Sequence, residues 1–109
     1  MARTEPEGES IQHLASLDPL IHAPARLAIL TYLYVVDSAD YIFLMRITGL
    51  TWGNLATHLN KLEEAGYVSI EKQFREKKPA SMVRLTRKGR SAYRSYKSGM
   101  KEILDGLPD

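Results

Sequence analysis

The chain has 109 residues, which is enough for one domain and too few for a separate catalytic partner domain. Hydrophobic residues make up 44% and charged residues 26%, values that are ordinary for a globular protein and that argue against disorder throughout. The absence of cysteine excludes disulfides, zinc fingers, iron–sulfur clusters and thiol catalysis. There is no apolar run of membrane-spanning length and the first ten residues are polar, so we expect a cytoplasmic protein without a membrane span or signal peptide.

The net charge of +2 conceals a strong separation of charge along the chain. Residues 1–66 carry 4 basic and 8 acidic side chains, whereas residues 67–101 carry 11 basic and 2 acidic ones. A basic segment of this kind is either a solvated surface or a binding surface for a polyanion. Its position in the fold decides between these two interpretations.

The first third of the chain predicts a tail and three helix starts. Residues 1–10 are acidic and almost without apolar side chains, so we predict a flexible tail followed by a single domain over residues 11–109. Ser10 is a suitable cap for a short helix, and Asp18 with Pro19 is typical of a further helix start. A stronger helix over residues 24–36 is apolar on most sides, as expected at the centre of a domain or at a dimer seam.

The middle of the chain predicts two helices joined by a tight turn. Residues 37–40 form a polar break, and a short helix follows over residues 43–48. Thr51 is a good N-cap for the next helix, which is the third helix when counted from the one over residues 24–36. It ends where Gly66 can adopt the left-handed conformation. One stripe of this helix is apolar and must face the core. Its members are Leu55, Leu59 and Leu62.

The pattern then changes to that of a hairpin followed by a long helix. Strands are predicted over residues 67–74 and 81–85, with a polar loop over residues 75–80 between them. Thr86 then caps a last helix that runs to about residue 104. The order of elements predicts an α+β, mostly helical fold. It is a winged helix-turn-helix with a two-stranded β-hairpin wing and a C-terminal dimerisation helix.

Several segments resemble small winged-helix transcriptional regulators of the MarR/ArsR-like type, and the resemblance covers about residues 18–97. It implies a homodimer that binds operator DNA and regulates transcription, with the third helix in the major groove and the hairpin beside it. It also implies dimer contacts from the terminal helices. The segments that carry it are residues 22–30, 50–59, 61–68 and 85–90.

The residue types on the predicted surface suit double-stranded DNA. The side of the third helix turned away from the leucines carries small or hydrogen-bonding side chains, with Glu63 and Glu64 only at its far end. Asparagine pairs with adenine, threonine contacts a base edge or a thymine methyl, and lysine reaches guanine or a phosphate. Long cations on a hairpin suit phosphates or the minor groove. The predicted DNA contacts are Arg46, Thr51, Trp52, Asn54, Thr57, His58, Lys61, Lys72, Arg75, Lys77, Lys78 and Arg84.

Three of these interpretations have alternatives. Trp52 suits packing at the core edge, which we favour, or a phosphate contact. His58 suits a phosphate contact or a structural hydrogen bond equally well. Cations at the start of the last helix oppose the helix dipole, and a nearby phosphate would offset that cost. These cations are Arg87, Lys88, Arg90 and Arg94.

The terminal helices predict a homodimer. Apolar and aromatic side chains recur at spacings of three and four along the last helix, and a chain of 109 residues has little core to absorb them together with the apolar helix over residues 24–36. The predicted dimer interface consists of Leu27, Leu30, Tyr34, Tyr93, Tyr96, Met100, Ile103 and Leu104.

The sequence therefore predicts a DNA-binding regulator, most simply a repressor at a pseudo-palindromic operator, and not an enzyme. His13, His22 and His58 lack metal-ligand spacing, so no metal or cofactor is expected. A small-molecule effector is compatible with the sequence, but no pattern supports one. Two alternatives stay open: a winged-helix protein-interaction module in a larger complex, and an RNA-binding winged helix, for which Phe74 is the only aromatic residue near the wing loop.

Overall fold

The computed structural model describes residues 8–75 and 78–109, with side chains for residues 12–73 and 80–109. The predictions for residues 1–7 and for the wing-tip side chains of Phe74, Arg75, Lys77 and Lys78 therefore lie outside the described part of the chain. The elements, in chain order, are α1 Gly8–Ser16, α2 Pro24–Val36, β1 Ser38–Asp40, α3 Tyr41–Thr48, α4 Trp52–Glu64, β2 Val68–Arg75, β3 Lys78–Leu85 and α5 Arg87–Asp105.

The N-terminal region differs from its prediction at two points. Helix α1 begins at Gly8, before the Ser10 cap and within the segment predicted as a tail. Asp18 begins a single turn and not a helix: its Oδ1 accepts a hydrogen bond of 2.9 Å from the Leu20 amide and its carbonyl accepts one of 2.9 Å from the His22 amide, but the turn does not continue before α2. Helix α2, in contrast, has the predicted bounds, with Pro24 at its start.

Residues 37–40, predicted as a polar break, contain the short strand β1. It pairs antiparallel with β3, and the sheet has the order β1-β3-β2. The hairpin is thus part of a three-stranded sheet rather than a two-stranded one. Three residues without a β-branched or aromatic side chain carry no local strand signal, so only pairing with the distant β3 makes this segment a strand.

The two helices of the helix-turn-helix both have side-chain caps, of which only Thr51 was predicted. Thr51 begins α4 by accepting a hydrogen bond of 3.1 Å from the Asn54 amide. Helix α3 begins at Tyr41, two residues before its predicted start, where Asp40 accepts a hydrogen bond of 2.7 Å from the Phe43 amide. Gly66 has a φ of 82° and ends this region in the left-handed conformation that glycine adopts at low cost. All three leucines of the predicted stripe are fully buried: Leu55, Leu59 and Leu62.

The wing is longer than predicted. Strands β2 and β3 pair from Val68 with Leu85 out to Arg75 with Lys78, so most of the predicted loop over residues 75–80 is strand. Strand β1 reaches only as far as Met82 along β3. Beyond that point β3 is an edge strand, and edge strands are where a sheet tolerates a proline such as Pro79.

The start of α5 is held against the end of the helix-turn-helix by close backbone contact. Thr86 Oγ1 accepts a hydrogen bond of 2.9 Å from the Gly89 amide and donates one of 2.6 Å to the Gly66 carbonyl. A Cβ atom at Gly89 would lie 2.1 Å from the Tyr67 carbonyl oxygen. The Leu-Thr-x-x-Gly segment over residues 85–89 therefore combines a helix cap with the one residue type that permits this approach.

A single apolar core joins the helices to the sheet. Ile29, Leu30 and Leu33 from α2 meet the leucines of α4 and Val83 from β3, and all are fully buried. Ile21 and Leu44 complete this fully buried group. None of the helices in the described ranges is both long enough and apolar enough to cross a membrane.

A hydrogen bond at the edge of this core predicts a loss of stability at high pH. The Tyr67 hydroxyl donates to the Asp18 carboxylate, and this bond raises the pKa of Tyr67 to about 12 from a usual value of 10.0. The folded chain thus holds the phenol proton more tightly than the unfolded chain, so the stabilisation is complete below pH 10 and is lost as pH rises towards 12.

We expect the free energy of unfolding to fall more steeply over this pH range in the wild type than in Tyr67→Phe. Urea denaturation at fixed pH values measures the difference. The other tyrosines are common to both proteins, so the comparison isolates Tyr67. Parallel pH profiles for the two proteins would contradict the prediction.

Candidate nucleic-acid interface

The exposed side of α4 lies opposite its buried leucines. Gly53, Asn54, Thr57 and Lys61 are all exposed on it. The Thr57 hydroxyl donates a hydrogen bond of 3.0 Å to the Gly53 carbonyl, one helical turn earlier. Among the described residues, the Asn54 carboxamide makes no hydrogen bond. This surface therefore presents an unused amide, a methyl group and an ammonium group side by side.

The N-terminal end of α4 is built around Trp52. Its ring packs on Tyr41, with 4.3 Å between the ring centroids, while 55% of the residue stays exposed. Packing at the core edge, the favoured interpretation, thus agrees with the structure. The exposed part borders a shallow groove that also includes Arg46 of α3. The structure therefore brings Arg46 to the same end of α4 as Thr51 and Trp52.

His58 makes the structural hydrogen bond that was one of its two interpretations. Arg26 Nη1 donates to His58 Nδ1 over 3.2 Å, and Arg26 Nε donates to the Leu20 carbonyl over 2.6 Å. Burial, followed by the positive charges of Arg26 and Lys61, lowers the pKa of His58. The neutral ring accepts through Nδ1 and carries its proton on Nε2. Sequence reasoning missed Arg26, because its partner lies on another helix.

The wing stands beside α4, and Lys72 lies on the side that faces it. A cleft of about 310 Å³ between α4, α3 and the wing is lined by Trp52, Asn60 and Glu63 on one side and by Ile70, Lys72 and Ser81 on the other. Lys72 pairs with Ser81 two positions along from Ile70, so it continues the sheet face that begins in the core. The sequence placed Glu63 at the end of α4 that is far from the DNA major groove, but in the structure Glu63 lines this cleft.

Arg84 lies on the other face of the sheet. It pairs with Ser69 on β2 and with Ser38 on β1, which places it out of phase with Ile70 and Lys72. Successive side chains of a strand point to opposite faces. The structure therefore does not bring Arg84 together with the predicted contacts on α4 and Lys72.

Two of the cations at the start of α5 have partners within the fold. Arg90 forms an ion pair with Asp37 and donates to the Tyr34 carbonyl over 3.3 Å. Arg94 Nε donates to the Tyr34 hydroxyl over 3.2 Å. These contacts tie α5 to the end of α2, where Asp37 has a φ of 70°. A phosphate is not needed to explain their position.

The predicted dimer interface divides into buried and accessible members. Leu30, Tyr96 and Ile103 pack into the core of their own chain and offer little surface to a second copy. The others border an apolar groove of about 410 Å³ between α2 and α5 or lie near it. The accessible members are Leu27, Tyr34, Tyr93, Met100 and Leu104, the last of which is 57% exposed.

In residues 8–75 and 78–109 no cluster of three or more potential metal ligands occurs.

Comparison with known proteins places this arrangement in context. Residues 25–104 match the family model of the winged helix DNA-binding domain. The chain is 34% identical over 77 residues to the uncharacterised protein MJ0432 of Methanocaldococcus jannaschii, covering 71% of this chain and 84% of that protein.

Two solved structures share the fold. A transcriptional regulator homologue from Pyrococcus horikoshii OT3 is 27% identical, with a TM-score of 0.84 over 90% of this chain and 99% of its own. A MarR-family transcriptional regulator from Silicibacter pomeroyi is 21% identical, with a TM-score of 0.63 over 88% of this chain and 64% of its own.

Proposed function

The chain belongs to the winged helix DNA-binding domain family and has the fold of MarR-like transcriptional regulators, and from this we propose that it is a sequence-specific DNA-binding repressor. In this proposal a homodimer occupies a pseudo-palindromic operator. The observation that carries it is the exposed face of α4, with its unpartnered Asn54, beside Lys72 on the facing side of the wing. Repression is the simpler mode of regulation, since a bound dimer blocks access by occupancy alone.

The position of the charges supports contact with a duplex along the outward face of α4. Arg46 lies at the start of this helix, Lys61 on its outward face and Lys72 across the cleft, so cations surround the asparagine and threonine side chains. Phosphate contacts of this kind orient a protein on DNA, while the side chains between them read the bases. Glu63 and Glu64 occupy the last turn of α4, and Glu63 lines the cleft that also contains Lys72.

The groove between α2 and α5 supports the proposed dimer. It is mainly apolar, and Leu104 is more than half exposed at its edge. A second copy related by a two-fold axis would cover the same patch on both chains. The two α4 helices would then meet half-sites about one turn of DNA apart, roughly 34 Å.

The polar character of the outward face of α4 argues against the protein-interaction alternative. A protein partner of a winged helix would be expected to meet apolar or aromatic side chains at the centre of this face. Asn54, Thr57 and Lys61 offer hydrogen-bonding groups there instead.

Selection of duplexes from a random pool by the purified chain tests the proposal. We expect enrichment of an inverted repeat with half-site centres roughly 34 Å apart, and a bound complex that contains two protein chains. A parallel selection on single-stranded RNA addresses the RNA alternative. Failure to enrich any duplex, or a stronger enrichment of RNA, would refute the proposed function.

Gly53→Ala should weaken DNA binding without lowering the stability of the fold. No atom of the described residues lies within 4 Å of the position that a Cβ would take at Gly53, so the fold accommodates alanine and gains up to about 1 kcal/mol in helix stability. The added methyl group lies on the face that approaches the duplex. We expect operator affinity to fall by roughly tenfold or more, as overpacking of a close interface would cause.

Fluorescence anisotropy with the selected operator, together with thermal denaturation, measures both effects. Gly99→Ala on α5 is the matched control, because its nearest contact is the Leu17 side chain and not α4. Equal operator affinities for Gly53→Ala and the wild type would place the duplex somewhere other than the outward face of α4.

A further inference from the structure

Thr57 lies at the centre of the exposed α4 face, and its hydroxyl group is already engaged. The hydroxyl proton is donated to the Gly53 carbonyl over 3.0 Å, within the same helix. This bond to the preceding turn holds the threonine rotamer and keeps the oxygen against the helix backbone. The group that remains without a partner on this side chain is the γ-methyl.

We propose that Thr57 is a specificity-determining residue whose γ-methyl recognises the C5-methyl of a thymine in each operator half-site. The assignment rests on the proposed function, because it requires α4 to enter the major groove. The thymine methyl is the one apolar group that a base edge presents there, and threonine methyls are suitable partners for it.

The surroundings of Thr57 favour such a contact. Gly53 lies one turn before it on the same face and has no side chain. The space that a Cβ would occupy there has no atom of the described part of the chain within 4 Å, so none of these residues shields the threonine on that side. Asn54 lies three positions before Thr57 and is also exposed. Its carboxamide suits the N6 and N7 atoms of adenine.

The composition of α4 points to the same base pairs. The helix contains no arginine, which is the commonest reader of guanine, and Lys61 is its single cation. An A·T pair presents the adenine N6 and N7 atoms and the thymine methyl together in the major groove. Asn54 and Thr57 would therefore read neighbouring A·T pairs at the centre of the half-site.

Deoxyuridine substitution tests the assignment. It removes the C5-methyl of thymine and leaves base pairing intact. In the duplex selected by the wild type, each thymine is replaced in turn, symmetrically in both half-sites, and affinity is measured by anisotropy. We expect one thymine position to cost the wild type about fourfold per half-site, the effect of losing one buried methyl contact.

Two variants of Thr57 separate its methyl from its hydroxyl. Thr57→Ser keeps the hydroxyl and lacks the methyl, so it should bind the thymine duplex about fourfold more weakly per half-site and should not distinguish uracil from thymine. Thr57→Val keeps a methyl and lacks the hydroxyl, so it should match the wild type in affinity and in discrimination. Thermal denaturation of both variants checks that the fold is intact.

The reverse pattern would overturn the assignment: if Thr57→Ser matches the wild type and Thr57→Val binds poorly, the hydroxyl oxygen reads the base. Wild-type affinity that is indifferent to uracil at every position also overturns it, while the proposed function stands. A chain that selects no duplex overturns the proposed function and this assignment together.

Discussion

Gly89→Ala should destabilise the chain by roughly 3 kcal/mol, at the upper end of what overpacking costs. An alanine Cβ at this position would lie 2.1 Å from the Tyr67 carbonyl oxygen, 2.8 Å from its carbonyl carbon and 2.9 Å from Leu85 Cδ1. The first two of these atoms belong to the backbone and cannot rotate aside. The start of α5 would have to move as a unit.

Such a movement would break the bonds that hold α5 in place. The Thr86 amide donates to the Tyr67 carbonyl over 3.1 Å, and the Thr86 hydroxyl donates to the Gly66 carbonyl over 2.6 Å. Both bonds span the gap that an alanine side chain would widen. The destabilisation should therefore exceed the cost of a strained side chain alone.

Urea denaturation followed by circular dichroism measures the effect, with Gly99→Ala as the control on the same helix. Among the residues whose side chains the structure describes, the Cβ there would meet Leu17 Cδ2 alone, at 3.1 Å, and that side-chain end can shift. We expect the control to lose less than about 1 kcal/mol. Similar losses for the two variants would show that the contact with Tyr67 relaxes freely.

Raising the salt concentration from 50 to 200 mM should weaken operator binding about a thousandfold. Arg46, Lys61 and Lys72 lie around the exposed face of α4 in each chain, which makes six phosphate contacts in the proposed dimer. Each neutralised phosphate releases counterions and contributes about −0.9 to the slope of log affinity against log salt, so the expected slope is about −5. Anisotropy titrations at several salt concentrations measure it.

Two variants on opposite faces of the sheet test which side meets the duplex. Lys72→Gln should reduce the slope by about 2 in the dimer, since one phosphate contact per chain is lost. Arg84→Gln removes a charge from the sheet face turned away from Ile70 and Lys72 and should leave the slope unchanged. An equal change in both variants, or a wild-type slope near zero, would contradict this geometry.

Helices α2 and α4 could be predicted because their signals are local. Pro24 opens α2, Thr51 caps α4, and Gly66 ends that region, and each acts on backbone groups within four residues of itself. The leucine stripe of α4 likewise follows from helical periodicity alone, which made its outward side predictable as well. These signals suffice to place Asn54, Thr57 and Lys61 on one surface without any tertiary contact.

The features that the sequence analysis predicted wrongly or missed depend on partners that are distant in sequence. Strand β1 exists because Ser38 to Asp40 pair with β3, more than forty residues later. Arg90 is of a residue type that commonly contacts phosphates. In the folded chain, however, it pairs with Asp37, which comes within reach once α5 packs against α2. In the same way, the bond from Arg26 to His58 joins two helices that the sequence does not mark as neighbours.

The sequence by itself determined helices α2 and α4, the buried side of α4 and the chemical groups on its outward side, because periodicity and capping act over one or two turns of chain. Only the tertiary structure decided which cations lie beside the outward face of α4. Lys72 and Arg84 have similar charge and lie on paired strands, and strand register alone sends one towards α4 and the other away from it.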